Sequence, residues 1–429
     1  MFKMRGYLLG VLVLLKHCIC DDVVNFDGDI KDFVVGKSKL FVLTDHQLHQ
    51  MRLDLSEEKR KDITNATHQN TVNILVPFDD NDTLITCGTI RDGYCEVLDL
   101  SDITKSIYYE SGISVGPTQN EKSVVFITGT GNSRYLLVGK KDHDGKKDDD
   151  GKSPYPVISL WNTLQSQVGG IFSNIDDGST LFIQSTARDV EFVDGFQRVS
   201  PSELYLFLNA KTDSERKVHV LWMDSSKDKK TDIYKSLQAV TIQCCSDKAR
   251  PVLVASTVIP SVSAVIWAGV FSVQDQQDPE NTALALYDIS TVKGKVKDFC
   301  APGETCDSES GSKLQPLSVV FKYSSMSSVA AVRSGSWIVL FIGTSDGQLI
   351  KLVLDEKLTP DCPIVLYKSD DERALFPRMH FDPDFKHIYT ALRKELRRVS
   401  VVQCAKFSPL KGCRAALDPL CGWCVNTKR

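Results

Sequence analysis

The sequence has little net charge, few histidines and hardly any segment with the 3.6-residue period of a helix. Its 429 residues carry a formal charge of −4, and without a basic stripe the chain is not expected to bind nucleic acid. The eight histidines are scattered, and there is no His-Glu-x-x-His motif, clustered carboxylate pair or Gly-x-Ser-x-Gly elbow. The sequence shows no recognisable set of catalytic residues. It therefore predicts a protein that is not an enzyme and needs no cofactor, metal or small-molecule substrate.

Sequence that could span a membrane is also scarce. Only residues 251–273 are long enough and free enough of charge to cross a bilayer. Pro260 and Ser261 interrupt this run, Ser and Thr residues dilute it, and Val and Ile dominate it. These features favour two buried strands around a Pro-Ser turn, with a membrane helix as the alternative. The chain as given is therefore expected to be soluble.

The N-terminus has the order of a secretory signal peptide. Lys3 and Arg5 precede an uninterrupted apolar stretch at residues 7–15, and polar sequence begins at Asp21. The stretch is too short to span a bilayer. Residues 1–20 are therefore predicted to be a signal peptide, and a buried strand is the alternative.

Cysteines and glycosylation sequons fit an oxidising compartment. Removal of residues 1–20 would leave eleven of the 13 cysteines, and most of them are expected to form disulfides. Because eleven is odd, at least one cysteine lacks a partner within the chain. Asn65 and Asn81 begin Asn-x-Thr sequons, which predicts N-glycosylation at exposed loops.

The rest of the chain repeats a hairpin of apolar strands. Residues 38–55 contain an apolar strand, a polar turn and an alternating strand, and residues 337–354 repeat this form around a Gly-Thr-Ser-Asp-Gly turn. Further copies lie at residues 135–160, 204–222 and 387–402. Repeated hairpins of this kind indicate an all-β fold. About 380 residues of them, at about 50 residues per blade, predict a seven-bladed β-propeller.

Three segments approach known ligand-binding motifs without matching them. Residues 140–152 form a low-complexity charged insertion and are predicted to be a mobile surface loop, with a calcium loop as the alternative. The sequence 151–153 ends like a phosphate-binding loop but lacks its earlier glycine. Residues 176–180 approach the Asp-box turn of sialidase propellers, although Asn174 and Leu181 depart from that motif. None of these segments predicts a catalytic site.

The C-terminal cysteines carry the most specific pattern. The sequence Cys-Gly-Trp-Cys at 421–424 has redox spacing, but it follows Pro419 and lacks a βαβ context. Structural disulfides are therefore favoured over a redox pair or a zinc site. With Cys404 and Cys413 before it, the run 418–424 resembles the start of the small cysteine-rich module shared by plexins, semaphorins and integrins.

Upstream segments resemble the sema domain of the plexin family. Residues 341–351 are similar to the hairpin of its last blade. Residues 267–272 and 358–363 look most like the C-type plexin. Further segments that match a plexin more than a semaphorin are 381–383, 387–389 and 397–401. The resemblance implies a sema-type seven-bladed propeller at residues 21–403, followed by a truncated plexin-semaphorin-integrin (PSI) module at residues 404–429.

The resemblance also has consequences for the cysteines. It implies a Cys87–Cys95 bridge and makes Cys404–Cys421 the expected bridge of the small module. Leu410 stands where the module usually has its second cysteine, so the remaining cysteines of the module, Cys413 and Cys424, would lack partners. Two bridges and one leftover thiol, with the pairing open, are expected among Cys244, Cys245, Cys300, Cys306 and Cys362.

The function implied by the resemblance is that of an extracellular, cell-surface receptor head. Its partner would be a semaphorin, expected to be dimeric and bound edge to edge. The hairpin at residues 211–229 is the expected contact region, with a plain solvated turn as the alternative reading. The contact residues predicted in this turn are Asp213, Glu215, Arg216 and Lys217. A secreted semaphorin-like ligand or soluble decoy is the second hypothesis, because the later plexin modules and a membrane anchor are missing, and a glycan hydrolase is the third.

Overall fold

The computed structural model describes most of the chain between residues 22 and 420. The described residues are 22–63, 70–113, 115–116, 123–130, 133–141, 156–163, 172, 180–183, 189–212, 215–260, 264–273, 278–290, 292, 294, 299, 313–370, 373–402 and 419–420. Within them the chain forms 28 strands, one short α-helix and two 3-10 turns. The strands make seven four-stranded sheets, which confirms the predicted all-β, seven-bladed propeller.

We number the sheets as blades 1–7 in chain order, and the strands of each blade run from the centre of the ring to its rim. Blade 1 contains β2 (Ile30–Val35), β3 (Lys39–Thr44), β4 (Gln47–Arg52) and β5 (Glu57–Asp62). Blade 2 contains β6 (Val72–Phe78), β7 (Thr83–Gly88), β8 (Tyr94–Asp99) and β9 (Asp102–Ser111), with 3-10 turns at Asp79–Asn81 and Ile90–Asp92. Blade 3 contains β10 (Val124–Thr130), β11 (Ser133–Lys141), β12 (Pro156–Asn162) and β13 (Thr180–Phe182).

The remaining blades follow the same order. Blade 4 contains β14 (Asp189–Arg198), β15 (Glu203–Lys211), β16 (Arg216–Asp224) and β17 (Gln238–Ile242), with helix α1 (Lys230–Lys235) before its last strand. Blade 5 contains β18 (Val252–Ile259), β19 (Ile266–Ser272), β20 (Thr282–Asp288) and β21 (Ser318–Tyr323). Blade 6 contains β22 (Met326–Ser334), β23 (Trp337–Thr344), β24 (Gln348–Leu354) and β25 (Ile364–Lys368). Blade 7 contains β26 (His380–Phe381), β27 (His387–Leu392), β28 (Glu395–Ser400) and the first strand of the described chain, β1 (Asp22–Asn25).

The burial of each strand follows its place in the blade. Middle strands such as β23 are buried on both faces, because a neighbouring blade packs against each face, and their sequence is an unbroken apolar run. The rim strand β5 has the sequence Glu-Glu-Lys-Arg-Lys-Asp and is largely exposed. Charge on a rim strand protects its free edge from pairing with other chains.

The apolar run at residues 251–273 is accounted for by two strands of blade 5. β18 and β19 pair antiparallel from Val252↔Ser272 to Ile259↔Ile266, which confirms the prediction of two strands for this segment. Nowhere in the described ranges does a helix have the length and hydropathy of a membrane span.

One sequence-based boundary was wrong. The charged insertion was predicted to begin as a loop at Lys140, but Lys140 and Lys141 are the last residues of β11. Lys140 is buried and its Nζ donates to the carbonyl of Gly116 at 3.1 Å, while Lys141 pairs with Asp189 at 2.9 Å. A lysine can be buried at the end of a strand when its ammonium group donates a hydrogen bond to a carbonyl group, because this bond offsets the cost of burial. Residues 142–152 of the insertion lie outside the described residues.

Ion pairs reinforce the closure of the ring. β1 pairs antiparallel with β28, so the N-terminal segment completes the C-terminal blade. Arg398 Nη1 lies 2.8 Å from Asp22 Oδ2 across this pairing. Arg393 Nε lies 2.9 Å from Asp29 Oδ2 in the turn that follows β1. Each of these contacts joins residues more than 360 positions apart in sequence, so they form only when the ring is closed.

We expect the double substitution Asp22→Asn and Asp29→Asn to loosen this closure. Partly exposed ion pairs contribute about 0.2–1 kcal/mol each, so the free energy of unfolding should fall by about 0.4–2 kcal/mol, and by less at high salt. Urea unfolding at low and high NaCl measures the difference. Asp384→Asn removes an exposed pair with Lys386 that does not join the two ends of the chain and serves as the control. An equal loss in both variants would contradict a closure role.

Candidate protein-binding surface and central channel

The hairpin predicted to contact a partner projects from blade 4. β15 and β16 pair without interruption from Glu203↔Asp224 to Lys211↔Arg216, and β15 is buried on both faces over most of its length. The buried strands fix the hairpin on the blade, and its turn at residues 212–215 lies at the end of both strands. The turn is therefore presented by a rigid support.

The charged residues of this turn lie at the surface. Glu215 and Arg216 are exposed, and Lys217 Nζ pairs with Glu215 Oε1 at 2.9 Å. The turn is closed by the amide of Thr212, which donates to the carbonyl of Glu215 at 2.9 Å. Asp213 lies outside the described residues. The arrangement is a compact turn with charges of both signs, suited to polar contacts at the edge of an interface.

The second sequon lies on a turn that joins three blades. Asn81 is exposed in the 3-10 turn between β6 and β7. Asp79 Oδ1 accepts from the amide of Lys37 in blade 1 at 2.9 Å. Asp80 pairs with Lys37 Nζ at 2.8 Å and with Arg134 of blade 3 at 3.3 Å. The turn is thus held in place while the Asn81 side chain stays accessible. The other sequon residue, Asn65, lies outside the described residues.

Disulfides occur in blades 2 and 4–5. Cys87 and Cys95 are directly opposite each other on β7 and β8 and form a buried disulfide with S–S 2.01 Å. Cys244 and Cys245, after β17, are joined to each other, and Cys362 has an exposed, unbridged thiol. The other cysteines with predicted pairings lie outside the described residues: Cys300, Cys306, Cys404, Cys413, Cys421 and Cys424.

The inner strands of all seven blades surround a central channel of about 1820 Å³. Val is the most frequent residue in its walls, and Ser, Thr, Asn and several charged residues line it as well. Asp32 of β2 accepts from Arg378 Nη1 at 3.0 Å. Asp194 of β14 accepts from Ser256 Oγ of β18 at 2.5 Å. His380 of β26 lies against the ring of Phe33, with 5.2 Å between ring centroids.

Burial changes the acidity of these channel groups. Desolvation raises the pKa of Asp194 to about 6, although the Ser256 hydrogen bond and the charge of Arg378 oppose it. Desolvation also raises the pKa of Asp32, against the opposing charge of Arg378. Burial lowers the pKa of His380 to about 4, and the positive charge of Arg378 adds to this effect. His380 is therefore neutral at physiological pH, while Asp194 is mostly ionised.

This chemistry does not assemble a catalytic set in the described part of the chain. Ser256 has a carboxylate partner but no imidazole partner, and the arrangement lacks the nucleophile–base–orienter sequence of acyl transfer. Among the described residues no group of three or more His, Cys, Asp or Glu side chains could hold a metal ion. Sequence reasoning missed the channel groups. The available signal was Asp194-Gly195 between the apolar residues Phe192-Val193 and Phe196 of an inner strand, where a buried charge is costly.

Known proteins with sequence similarity to this chain include several plexins. No family model matches the chain. Mouse plexin-C1 is 36% identical over 195 residues, which cover 42% of this chain and 12% of that protein. Plexin A3 of Danio rerio is 35% identical over 103 residues, covering 23% of this chain and 5% of that protein. The aligned region is thus longer for plexin-C1 than for plexin A3. In both cases it covers only a small part of the relative's length.

Solved structures share the propeller fold. The extracellular region of plexin A4 superposes with a TM-score of 0.73 at 18% identity, covering 93% of this chain and 48% of that one. A structure described as Drosophila plexin A in complex with semaphorin 1b superposes with a TM-score of 0.62 at 13% identity, covering 95% of this chain and 92% of that one. Both likenesses support the sema fold.

Proposed function

We propose that this chain, whose propeller is a sema domain of the plexin family, is the ligand-binding head of a semaphorin receptor. The observation that carries the proposal is the combination of plexin-C1-like sequence with a closed seven-bladed propeller. A solved complex of Drosophila plexin A with semaphorin 1b contains a chain of similar fold, which supports a semaphorin as the proposed partner. The proposed role is recognition without catalysis.

The mechanism we propose is surface complementarity at the rim of the disc. Rim strands and turns are held rigidly by the blades, so little conformational entropy is lost when they bind. A few buried anchors would supply most of the affinity, and charged groups around them would supply specificity and speed of association. The turn that carries Asp213, Glu215, Arg216 and Lys217 is our proposed part of that charged border.

Glycosylation would restrict which surface is available. We propose that Asn65 and Asn81 carry glycans in the secretory pathway. Asn81 lies on the face of the disc where the first turns of blades 1, 2 and 3 meet. A glycan there would hinder protein contact across that face and leave open the opposite face, on which the turn between β15 and β16 of blade 4 lies.

The proposed domain organisation comprises a signal peptide at residues 1–20, the propeller at 21–403 and the start of a PSI module at 404–429. The described residues of the last segment rest on the propeller. Ser334 Oγ donates to the carbonyl of Pro419 at 3.3 Å, and Leu420 packs against the apolar cluster between blades 6 and 7. The proposed location is the cell surface or the extracellular space.

A binding screen tests the proposal. The full chain, secreted from mammalian cells, is passed over immobilised dimeric semaphorins and over plexin ectodomains. We expect binding to one or more semaphorins and none to plexins. Binding to plexins alone would instead support a semaphorin-like ligand or decoy. Cleavage of fluorogenic sialosides by the same preparation would contradict a purely recognising role.

The proposed contact turn of blade 4 can be tested by reversing its charges. The double charge reversal Glu215→Lys and Arg216→Glu should weaken semaphorin binding by about tenfold, equivalent to about 1.4 kcal/mol. Both side chains are exposed, so folding should be unaffected. The matched control is Glu356→Lys with Lys357→Glu on an exposed turn of blade 6. An unchanged affinity in the blade 4 variant would remove this turn from the interface without removing the receptor role.

A further inference from the structure

The central channel holds two carboxylates at the same level of the ring. Five of the seven inner strands contain a β-bulge, and Asp32 and Asp194 are each the first paired residue after the bulge of their strand. Bulges redirect the side chains that follow them. Since β2 and β14 belong to blades 1 and 4 of seven, the two side chains enter the channel from nearly opposite walls.

The two carboxylates differ in their partners. Asp32 is neutralised by Arg378, whose guanidinium lies 3.0 Å away. Asp194 accepts a hydrogen bond from the uncharged Ser256 and one from the amide of Gly195. Within the described residues no Lys, Arg or His nitrogen lies within ion-pair distance of Asp194, and both of these hydrogen bonds to its carboxylate come from neutral donors.

Apolar side chains line the channel from the blade of Asp194 and from the blades on either side of it. Val125, Val193 and Val254 line the channel from blades 3, 4 and 5. Among the remaining charged lining groups, Lys31 pairs with Asp45, Asp79 accepts from the amide of Lys37, and Asp382 pairs with His387, while His46 also lines the channel. A large concave site with many apolar wall residues and a carboxylate that lacks an ion-pair partner among the described residues resembles a small-molecule pocket.

We propose that the channel binds a small organic cation with an apolar tail, whose ammonium group pairs with Asp194. The cation would take the place that a lysine or arginine usually fills beside a buried carboxylate. The tail would lie against the Val side chains of blades 3–5. Arg378 and Asp32 form their own pair between the neighbouring blades 7 and 1, which leaves the carboxylate of Asp194 as the charge offered to the ligand. The site is separate from the rim proposed for semaphorin binding.

The affinity of the channel for the cation should decrease as the pH falls. Burial raises the pKa of Asp194 from 3.8 to about 6, so the carboxylate is mostly ionised at pH 7.5 and mostly protonated at pH 5. Of the groups that face it, His380 stays mostly neutral because its pKa is lowered to about 4. Burial raises the pKa of Asp32, which lies beside Arg378, so any loss of the Asp32 charge at low pH weakens cation binding in the same direction. Cation affinity should therefore fall by about tenfold between pH 7.5 and pH 5.

Calorimetric titration of the full secreted chain tests the proposal with three probes: octylamine, 1-octanol and octyl sulfate. Each probe is used below the concentration at which it aggregates. We expect octylammonium to bind, and Asp194→Asn to weaken it tenfold or more without changing any binding of 1-octanol. Asp194→Asn should fold well, because an ionised carboxylate with a raised pKa costs stability above pH 6 and the amide does not. Ser256→Ala keeps the carboxylate and should retain octylammonium binding.

Any of the following results would overturn the channel proposal. One is the absence of octylammonium binding to wild type at pH 7.5. Another is equal octylammonium affinity of wild type and Asp194→Asn, and a third is tighter binding of octyl sulfate. Semaphorin binding measured on the same variants separates this site from the receptor role, since we expect it to be unchanged by Asp194→Asn.

Discussion

Replacing Trp267 by alanine is expected to lower the free energy of unfolding by about 3–5 kcal/mol, as for other fully buried aromatic residues. Trp267 lies in β19 and is completely buried. Its ring stacks on Phe207 of blade 4 with 4.2 Å between centroids and lies 5.5 Å from the ring of Tyr287. The indole therefore joins blades 4 and 5, and its loss would leave a cavity between them.

Gly269 is part of the same arrangement. A Cβ placed on Gly269 would lie 2.6 Å from the Trp267 ring, so only glycine leaves room for the indole. We expect Gly269→Ala to be destabilising for this reason. Urea unfolding of the secreted protein measures each loss, and Trp337→Ala, which truncates a half-buried indole at the start of β23, is the control with a smaller expected effect. A loss under about 1 kcal/mol for Trp267→Ala would contradict the packing between the two blades.

Removing the Cys87–Cys95 disulfide is expected to cost about 2–4 kcal/mol. The bridge spans a sequence separation of 8 residues, so it restricts the unfolded chain by a short loop. Both cysteines also belong to the apolar cluster between blades 2 and 3, with Val97, Leu136 and Val138. The double substitution Cys87→Ala and Cys95→Ala removes the bridge without leaving a free thiol.

Thermal or urea unfolding with and without a reductant tests this expectation. Wild type should lose stability in the reductant, and the double variant should already have lost it. Cys362→Ser changes an exposed, unbridged thiol and should unfold as wild type does. Identical unfolding midpoints for wild type and the double variant under oxidising conditions would show that the bridge does not form in the secreted protein.

The strands that were predicted correctly from the sequence are those whose pattern is contained in one short segment. The hairpin at residues 337–354 matches β23 and β24, because an unbroken apolar run is followed by a turn in which Gly347 has φ +83°. Glycine adopts this left-handed conformation without strain, so its presence allows the turn to be recognised in the sequence. The two strands at residues 251–273 were also readable, since Pro260 divides the apolar run.

Features that depend on distant residues could not be predicted in this way. The four-residue strand β1 is too short to show a periodic pattern and joins blade 7 by pairing with β28. Asp194 and Arg378 are 184 positions apart, and only the closed ring places both in one channel. The pairing of Cys244 with Cys245 was likewise open, because sequence does not fix disulfide connectivity.

The candidate binding surface was predictable only as a region. Charged residues at 215–217 between two apolar strands indicate an exposed hairpin tip, and the structure places Glu215 and Arg216 at the surface. Which exposed charges contact a partner depends on the shape and charge of that partner. The sequence of one chain does not contain this information.

Light scattering during size-exclusion chromatography of the secreted chain mixed with a dimeric semaphorin tests the receptor assignment most directly. A rigid propeller that meets its partner at the rim should form a complex of two chains with one semaphorin dimer. Charge reversal at Glu215 and Arg216 should reduce the amount of that complex. Elution of the chain as a separate monomer with every semaphorin, at concentrations well above those of typical receptor–ligand affinity, would contradict the account.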